Sequence, residues 1–371
     1  MTQTASGALP YIADIEPYNA GKPLEALAKE LGMPADKIIL LNANENPIGF
    51  PESAAKAVEK MMSRGHCYPD GGAFDLKGAV AKRYGVGEDC IIQGNGSDEL
   101  IGLIAQVYLE GGRRCVVPEH SFSVYSLAAH INGADITEVP PKADFSVDFD
   151  GIAAAVDDRT ALIFITNPDN PTGLYASPET VETFLAKVPQ RVTVVLDEAY
   201  VDFVPKAERS VDREVLARHP NVIILHTFSK AYGLAGLRIG FALAGAGTIE
   251  VLNRIRPPYN ANRLAQAAAV AALGDDAFVE KTVKTVTEGV ERSEKAFRKL
   301  GLRFVHTRTN FMMVEVPNAD DVQAALLKAG IIVRGLRSYG LPGWLRISVG
   351  SPENMKRFFD VFEKALAKNQ H

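Results

Sequence analysis

The sequence contains few cysteines, and their spacing excludes a disulfide framework or a cysteine-based zinc site. Cys67, Cys90 and Cys115 are the three cysteines in 371 residues, and no two form a Cys-x-x-Cys pair. An odd, widely spaced set of this kind is typical of a protein in a reducing compartment. The histidines also lack metal-ligand spacing. We therefore expect no metal ion, and we expect Cys90 and Cys115, which border apolar runs, to be buried.

Long apolar runs and basic clusters are missing as well. No stretch reaches the roughly 20 apolar residues that cross a bilayer, and the first ten residues lack the charged and apolar regions of a signal peptide. The formal net charge is −5, without a stripe of lysine and arginine, which argues against nucleic acid as a partner. These absences predict a cytoplasmic protein that binds neither membrane nor nucleic acid.

What the chain does contain is an alternation of short apolar runs and amphipathic stretches between Asn46 and Asn262. The runs are apolar throughout rather than at every second position, as expected of strands covered on both faces. The alternation predicts an α/β fold with a mostly parallel central sheet flanked by helices. The predicted strands span residues 115–117, 136–139, 162–165, 192–196, 222–225 and 239–243.

The pattern changes after Asn262, where a long helical region at 264–300 precedes shorter segments. We expect strands at 311–316, 331–334 and 345–349 and helices at 319–329 and 353–368. These segments predict a smaller α+β domain. We therefore divide the chain into an N-terminal segment, 1–45, that packs with the small domain, a large domain, 46–265, and a small C-terminal domain, 266–371.

Polar clusters directly follow three of the apolar runs. Asn167 opens the first, Asp197 and Tyr200 lie in the second, and Ser229 and Lys230 lie in the third. In parallel α/β sheets, ligands bind beyond the carboxyl ends of the strands, so these clusters should meet at one rim. Each alone has an ordinary explanation, because Asn-Pro and Pro-Thr-Gly form turns and acidic residues cap helices. Together and in this order they predict a binding site.

A glycine-rich turn at residues 94–99, Gly-Asn-Gly-Ser-Asp-Glu, follows Ile91 and Ile92 and opens a helical stretch. Glycines let the backbone approach an anion, and a helix start offers free amides and a partial positive charge. Glu99 stands where a dinucleotide fingerprint requires its third glycine, so a phosphate monoester fits better than a pyrophosphate. Ser97 could equally serve only as the N-cap of the helix.

Lys230 supplies a reactive group at the third strand end. An amine that is partly desolvated has a lowered pKa and can attack a carbonyl. A lysine amine, a carboxylate, a polar amide and a phosphate cradle form the set that pyridoxal 5′-phosphate requires. The sequence therefore predicts a pyridoxal-phosphate site around Lys230.

On these motifs the chain resembles the fold-type I aminotransferases of class I and II, most closely the histidinol-phosphate aminotransferases. The resemblance covers nearly the whole chain and implies the fold of that family, with a large domain built on a mostly parallel sheet and a smaller α+β domain. It also implies a pyridoxal-phosphate-dependent transaminase. The matching segments, in the family's order, are residues 41–47, 68–70, 94–99, 167–173, 197–200, 229–240 and 345–350.

The resemblance implies a role for each residue of the catalytic centre. Lys230 would hold the cofactor as a Schiff base and then carry the proton between the substrate Cα and the cofactor. Asp197 would pair with the pyridine nitrogen, while Tyr200 and Asn167 would bond the 3′-oxygen. Phe122 matches the aromatic residue that stacks on the cofactor ring, although a core phenylalanine at a strand-to-helix turn would give the same pattern.

The resemblance also implies how the cofactor phosphate is held and that the protein is a homodimer. Tyr68 matches the tyrosine that reaches the phosphate of the neighbouring subunit, which implies active sites shared between two subunits. The other residues implied on the phosphate side are Gly96, Ser97, Asp98, Ser229 and Arg238.

The substrate side of the site centres on Arg346, which lies on an apolar strand where an uncompensated charge would be costly. The family's partner for this arginine is the substrate carboxylate, gripped as a bidentate fork, and a structural ion pair is the alternative. The resemblance adds Tyr18, Asn167 and Arg334 as substrate-binding residues. Arg337 lies nearby in the sequence and either takes part or faces solvent.

The activity that the resemblance implies is transamination of L-histidinol phosphate with 2-oxoglutarate, giving imidazole-acetol phosphate and L-glutamate in histidine biosynthesis. One anion pocket would then accept a carboxylate in one half-reaction and a phosphate in the other. The alternatives are an aromatic amino acid aminotransferase, a decarboxylase of a phosphorylated amino acid, and a non-catalytic effector-sensing domain, for which we see no DNA-binding extension. Asp169 stands where the family usually has asparagine and could alter the electrostatic field near the substrate.

Overall fold

Two β-sheets with helices packed around them make up the fold. The computed structural model describes residues 7, 9–15 and 22–368. In chain order its strands are β1 Ile39–Leu41, β2 Ile91–Gly94, β3 Arg114–Pro118, β4 Asp135–Val139, β5 Thr160–Thr166, β6 Thr193–Asp197, β7 Val222–Thr227, β8 Gly240–Leu243, β9 Phe304–Val305, β10 Phe311–Glu315, β11 Ile331–Gly335 and β12 Trp344–Ser348. Its α-helices are α1 Leu24–Leu31, α2 Glu52–Met62, α3 Phe74–Tyr84, α4 Ser97–Tyr108, α5 Val124–Ile131, α6 Phe149–Ala154, α7 Pro178–Leu185, α8 Asp212–Arg218, α9 Ala246–Ile255, α10 Arg263–Leu273, α11 Asp276–Lys299, α12 Ala319–Lys328 and α13 Pro352–Lys368.

The larger sheet has seven strands in the order β2-β8-β7-β6-β5-β3-β4. Neighbouring strands from β4 through β7 pair in parallel, whereas β8 runs antiparallel to both β7 and β2. Helices connect the parallel strands, since a parallel pair requires a crossover between its members. The prediction of a mostly parallel central sheet flanked by helices is confirmed.

The continuous apolar runs arise because side chains from both faces of this sheet are buried. In β5, Ile163 and Ile165 belong to one hydrophobic core, whereas Leu162 and Phe164 belong to the core on the opposite face. Successive residues of a strand point to opposite faces, so covering both faces leaves no polar position in between. Each such side chain contributes roughly 1.5–3 kcal/mol when it leaves water, and the central strands are therefore rigid supports for the residues that follow them.

The smaller sheet has five strands in the order β1-β11-β12-β10-β9. β1, which comes from the N-terminal part of the chain, pairs in parallel with β11, and the other neighbours are antiparallel. The residues that follow β1 then run towards the larger sheet, where Ala43 and Asn44 contact side chains of that part. The residue boundaries of the two predicted domains stay a prediction.

The structure differs from the sequence-based prediction in several places, and β1 and β9 are two strands that the sequence did not predict. The predicted helical region 264–300 is two helices, α10 and α11, because Gly274 ends the first and the Asp275 side chain caps the second by accepting from the amide of Phe278 at 3.1 Å. The apolar run before the glycine-rich turn forms the edge strand β2, which was not among the predicted strands. Of the two cysteines predicted to be buried, Cys115 is buried and Cys90 is partly exposed.

None of the described helices combines the length and the apolar character that crossing a membrane requires.

Candidate active site

The carboxyl ends of β5, β6 and β7 lie side by side at one edge of the larger sheet. Thr166 at the end of β5 pairs with Asp197, and Asp197 pairs with Leu225 on β7. The backbone amide of Asn167 donates to the carbonyl of Asp197 at 3.0 Å. The parallel register therefore places Asn167 and Asp197 next to each other and directs the segment that carries Lys230 to the same rim.

The glycine-rich turn reaches this rim because β8 runs antiparallel between β2 and β7. Gly240 pairs with Gly94 on one side and with Thr227 on the other. A Cβ atom on Gly240 would lie 3.0 Å from the amide nitrogen of Ser97 and 2.8 Å from the carbonyl oxygen of His226. Only glycine allows the start of α4 to approach the sheet this closely.

Gly96, rather than Ser97, occupies the cap position of α4, and it has a φ of 81°, which favours glycine. Ser97 is the first residue of the helix, and no side chain caps it. The interpretation of Ser97 as an N-cap is therefore wrong. The free amides at this helix start remain available for an anion.

A guanidinium group lies against the same helix start. Arg238 donates to the Asp98 carboxylate at 3.0 Å, and a Cβ atom on Gly96 would lie 2.6 Å from Nη2 of this arginine. Ser229 lies on the neighbouring segment, where its hydroxyl accepts a hydrogen bond from that of Thr227 at 3.0 Å. Amides and a guanidinium that meet at one point can hold a phosphate group.

Lys230 is partly buried, and none of the described residues forms an ion pair with it. Its amine donates to the carbonyl of Ala43 at 3.2 Å and lies 5.8 Å from the ring centre of Tyr200. Burial, together with the positive charge of Arg346, lowers the pKa of Lys230 to about 8. The amine can therefore gain or lose a proton near neutral pH, as a carbonyl nucleophile requires.

Asp197 is a buried carboxylate with donors on both oxygens. The Tyr125 hydroxyl donates to Oδ2 at 2.7 Å, and the amide of Ala199 donates to Oδ1 at 3.1 Å. Burial raises the pKa of Asp197 to about 6, and the hydrogen bond from Tyr125 opposes that rise. Phe122 is partly buried and meets the Tyr125 ring edge to face, with the ring centres 5.6 Å apart. Tyr125 was not predicted from the sequence.

Tyr200 and Asn167 are both held by hydrogen bonds to neighbouring segments. The Tyr200 hydroxyl accepts from the side-chain amide of Asn44 at 3.0 Å, and burial raises its pKa to about 12. The backbone amide of Asn44 in turn donates to the Ser348 hydroxyl at 2.9 Å. The Asn167 side chain exchanges two hydrogen bonds with the backbone of Ala176, at 2.8 and 2.9 Å, which fixes the loop between them.

Arg346 and Arg334 face each other across the β11–β12 pair. The buried Arg346 donates to the side-chain oxygen of Asn170 at 2.5 Å and to the carbonyl of Asn42 at 2.9 Å, and its Nε has no partner among the described residues. Neither arginine forms an ion pair with a residue in the described ranges. Like charges on directly opposite strand positions repel, so this pair is suited to binding an anion.

Comparison with known proteins identifies the family. The model of the family described as aminotransferase class I and II matches residues 36–362. This chain belongs to that family. It is 44% identical over 360 residues to histidinol-phosphate aminotransferase 1 of Cupriavidus pinatubonensis, with 96% of each chain covered. It is 41% identical over 361 residues to histidinol-phosphate aminotransferase 2 of Pseudomonas aeruginosa, with 97% of this chain and 98% of that protein covered.

A solved structure extends the comparison to the fold of this aminotransferase. The crystal structure of histidinol-phosphate aminotransferase from Sinorhizobium meliloti in complex with pyridoxal-5′-phosphate matches it with a TM-score of 0.91 and 28% sequence identity. The match covers 99% of this chain and 100% of that one. The predicted fold class is confirmed by this likeness and by the sheet topology.

Some predicted residues of this aminotransferase do not lie with the group at the rim. Tyr68 is largely exposed and stacks on Tyr259, with the ring centres 4.8 Å apart. Arg337 is exposed and forms an ion pair with Asp320, so of the two alternatives for Arg337 the structure favours the solvent-facing one. Tyr18 lies outside the described residues.

Asp169 is buried inside its own turn. Its carboxylate accepts from the Thr172 hydroxyl at 2.6 Å. Burial raises the pKa of Asp169 to about 6, with Thr172 opposing the rise. The side chain therefore shapes the loop that carries Asn170, the residue that contacts Arg346.

Behind the rim this aminotransferase contains a buried group of ionisable residues, Glu198, Asp212 and His226. One potential ligand atom from each lies within 4.8 Å of the others. The His226 Nε2 is 2.7 Å from the Asp212 carboxylate, and 3.9 Å from that of Glu198. The short contact is a hydrogen bond that forms without an ion, and the absence of a metal site stays a prediction.

Three residues that contact the predicted site were missed because their partners are distant in the sequence. Asn44 bonds Tyr200 156 positions away, Asn170 bonds Arg346 176 positions away, and Tyr125 bonds Asp197 72 positions away. Asn44 and Asn170 lie inside matching motifs, which was the signal that could have found them. No comparable signal marked Tyr125, since a tyrosine in an amphipathic stretch is most often part of the core.

Proposed function

We propose that this protein catalyses pyridoxal-phosphate-dependent transamination of L-histidinol phosphate with 2-oxoglutarate, giving imidazole-acetol phosphate and L-glutamate. The observation that carries the choice is the Arg334–Arg346 pair, which has no carboxylate partner among the described residues. A full-length likeness to proteins named histidinol-phosphate aminotransferase supports the same activity.

The residues at the rim fit pyridoxal 5′-phosphate. Gly96 and Gly240 let the start of α4 and Arg238 come close together, which leaves an amide-lined cradle for the phosphate. The buried Asp197 carboxylate suits a protonated ring nitrogen. Tyr200, whose raised pKa keeps its hydroxyl protonated, can donate to the 3′-oxygen alongside Asn167. When bound, the cofactor supplies an electron sink that stabilises negative charge at the substrate Cα.

Lys230 is the group that would hold the cofactor and move the proton. Its amine, with a pKa of about 8, is partly unprotonated near neutral pH and can attack an aldehyde. When its amine is free, Lys230 would take the proton from the substrate Cα and deliver it to the cofactor. Arg346 contributes twice, because its charge lowers the pKa of Lys230 and its guanidinium holds the substrate anion.

The paired arginines suit a substrate that changes its anionic group between half-reactions. A carboxylate accepts a bidentate guanidinium fork, which Arg346 alone can provide. A phosphate group carries up to two charges and three acceptor oxygens, so it can use Arg334 as well. We therefore assign Arg346 to both substrates and Arg334 mainly to the phosphate. Tyr18 stays a predicted contributor.

A panel of half-reactions tests this assignment, with the cofactor absorption followed after adding histidinol phosphate, glutamate, phenylalanine, tyrosine or aspartate. We expect the highest kcat/KM with histidinol phosphate. Arg334→Ala should lower kcat/KM for histidinol phosphate by about tenfold or more, the value of a charge-assisted hydrogen bond, and affect glutamate less. Arg337→Ala is the matched control and should change neither. A higher kcat/KM with phenylalanine would instead favour an aromatic amino acid aminotransferase.

We also propose a homodimer in which Tyr68 completes the site of the other subunit. Tyr68 and Phe74 are large apolar side chains that are mostly exposed, and exposed apolar patches often mark contact surfaces. Mixing Lys230→Ala and Tyr68→Ala subunits tests this, because only the mixed dimer has one site with both residues intact. Recovery of activity on mixing is expected, and a lack of recovery in confirmed mixed dimers would refute shared sites.

A further inference from the structure

We propose that Tyr125 is a positioning residue that keeps the Asp197 carboxylate ionised and aimed at the cofactor's ring nitrogen. The inference rests on the proposed function, since it assigns a role towards pyridoxal phosphate. It adds a residue that acts through Asp197.

The hydrogen bonds of Tyr125 form a chain with a fixed direction. Its hydroxyl is 2.7 Å from Asp197 Oδ2 and 2.7 Å from the Thr166 hydroxyl. An ionised carboxylate only accepts hydrogen bonds, so Tyr125 must donate to Asp197 and Thr166 must then donate to Tyr125. Each hydroxyl proton in this series of hydrogen bonds has an acceptor when Asp197 is ionised.

The Tyr125 ring is held so that its hydroxyl cannot move away. It is fully buried and stacks on Phe164, with the ring centres 4.7 Å apart and the planes at 6°. Phe122 also contacts this ring, edge to face at 86°. Because Phe122 is the candidate for stacking on the cofactor ring, Tyr125 contacts both residues that would face that ring.

A donor at this position matters because burial works against the charge of Asp197. Burial raises the pKa of Asp197, and the hydrogen bond from Tyr125 makes the largest contribution that lowers this pKa again. The charged groups that also act on this carboxylate are Asp98 on α4, which raises the pKa, and His226 on β7, which lowers it. Removing the Tyr125 hydroxyl leaves Asp98 and His226 in place, so the effect of that hydroxyl on the pKa of Asp197 can be measured separately.

The test is the dissociation constant of pyridoxal phosphate from the apoprotein, measured between pH 5 and 9 for the wild type and Tyr125→Phe. Binding should weaken at low pH as Asp197 becomes protonated. In Tyr125→Phe this weakening should begin about one pH unit higher, the size expected from losing a charge-assisted hydrogen bond. Lys230 titrates in both proteins and cancels in the comparison.

Two further variants separate positioning from general damage. Tyr232→Phe also removes a buried tyrosine hydroxyl, one with no hydrogen-bond partner among the described residues, and should leave the pH profile unchanged. Thr166→Val keeps the Tyr125 ring packed and should shift the pH profile in the same direction as Tyr125→Phe. Thr166→Ser keeps the hydroxyl and should show the wild-type profile. This second route holds even if Tyr125→Phe fails to fold.

The outcomes distinguish the inference from the function on which it rests. An equal loss of affinity at every pH in Tyr125→Phe and Thr166→Val would overturn the positioning role and leave the proposed function standing. A wild-type protein that does not bind pyridoxal phosphate would overturn both.

Discussion

Replacing Gly240 with alanine adds one methyl group at the point where the sheet meets the start of α4. The new Cβ would lie 2.8 Å from the carbonyl oxygen of His226, 3.0 Å from the amide nitrogen of Ser97 and 3.1 Å from the carbonyl carbon of Gly96. All three are backbone atoms, so no side-chain rotation can relieve the contacts. The strand and the helix start must separate.

The size of the effect follows from these distances. Overpacking of this kind costs about 1–3 kcal/mol of folding free energy. The lower backbone entropy of alanine in the unfolded chain offsets about 0.5–1 kcal/mol of that cost, which leaves a net loss of up to about 2.5 kcal/mol. If the Ser97 amide also loses its contact with the cofactor phosphate, a charge-assisted hydrogen bond of about 1.5–3 kcal/mol disappears, and affinity for pyridoxal phosphate should fall roughly tenfold or more.

Urea unfolding of the apoprotein and titration with pyridoxal phosphate measure the two quantities separately. Gly102→Ala is the control, since Gly102 lies inside α4 and a Cβ there would have nothing within 4 Å. The control should gain about 0.5–1 kcal/mol of stability from helix propensity and bind the cofactor as before. A Gly240→Ala protein with unchanged stability and unchanged affinity would refute the reasoning about close approach.

Two further predictions concern charges near the site. Asn170→Asp should create a carboxylate beside Arg346 that competes with the substrate anion, raising the KM for glutamate and histidinol phosphate by about tenfold or more; an unchanged KM in steady-state kinetics would contradict it. Burial raises the pKa of Glu198 to about 8. Burial lowers the pKa of His226, but the nearby Asp212 carboxylate raises it, and the net pKa is raised. Both groups bind protons more strongly when folded, so each makes stability fall as pH rises. For Glu198 the fall runs from about pH 5 to 8. Glu198→Gln should flatten that fall in urea unfolding of the apoprotein, and an equally steep fall would count against it.

Much of the fold could be predicted because local patterns and topology agree. The buried strands β5, β6 and β7 each contain a continuous apolar run, and polar residues follow each run. Parallel strands place their carboxyl ends together, so Asn167 and Asp197 could be placed at one rim without knowing any side-chain contact. The break between α10 and α11 was missed because helical periodicity continues on both sides of Gly274, and only the capping contact of Asp275 shows that a new helix begins.

The supporting contacts of the site could not be predicted in this way. Asn44 has a left-handed backbone conformation, with a φ of 55°, and its side chain joins Tyr200 to Ser348 by hydrogen bonds. Its position depends on β1 pairing with β11, a contact between the two ends of the chain. Neither periodicity nor strand order specifies which side chains meet across such an interface, because that depends on the register of both sheets at once.

The two halves of the site also differ in how much their sequence motifs determine. The cofactor side combines a lysine, a carboxylate and a glycine-lined helix start, and few ligands other than pyridoxal phosphate require all three. The substrate side depends on the spacing of Arg334 and Arg346, which face each other only because β11 and β12 are antiparallel in that register. A shift of one residue would turn one arginine to the opposite face of the sheet. The choice between a carboxylate and a phosphate therefore rests on tertiary structure, and Arg334→Ala tests it directly.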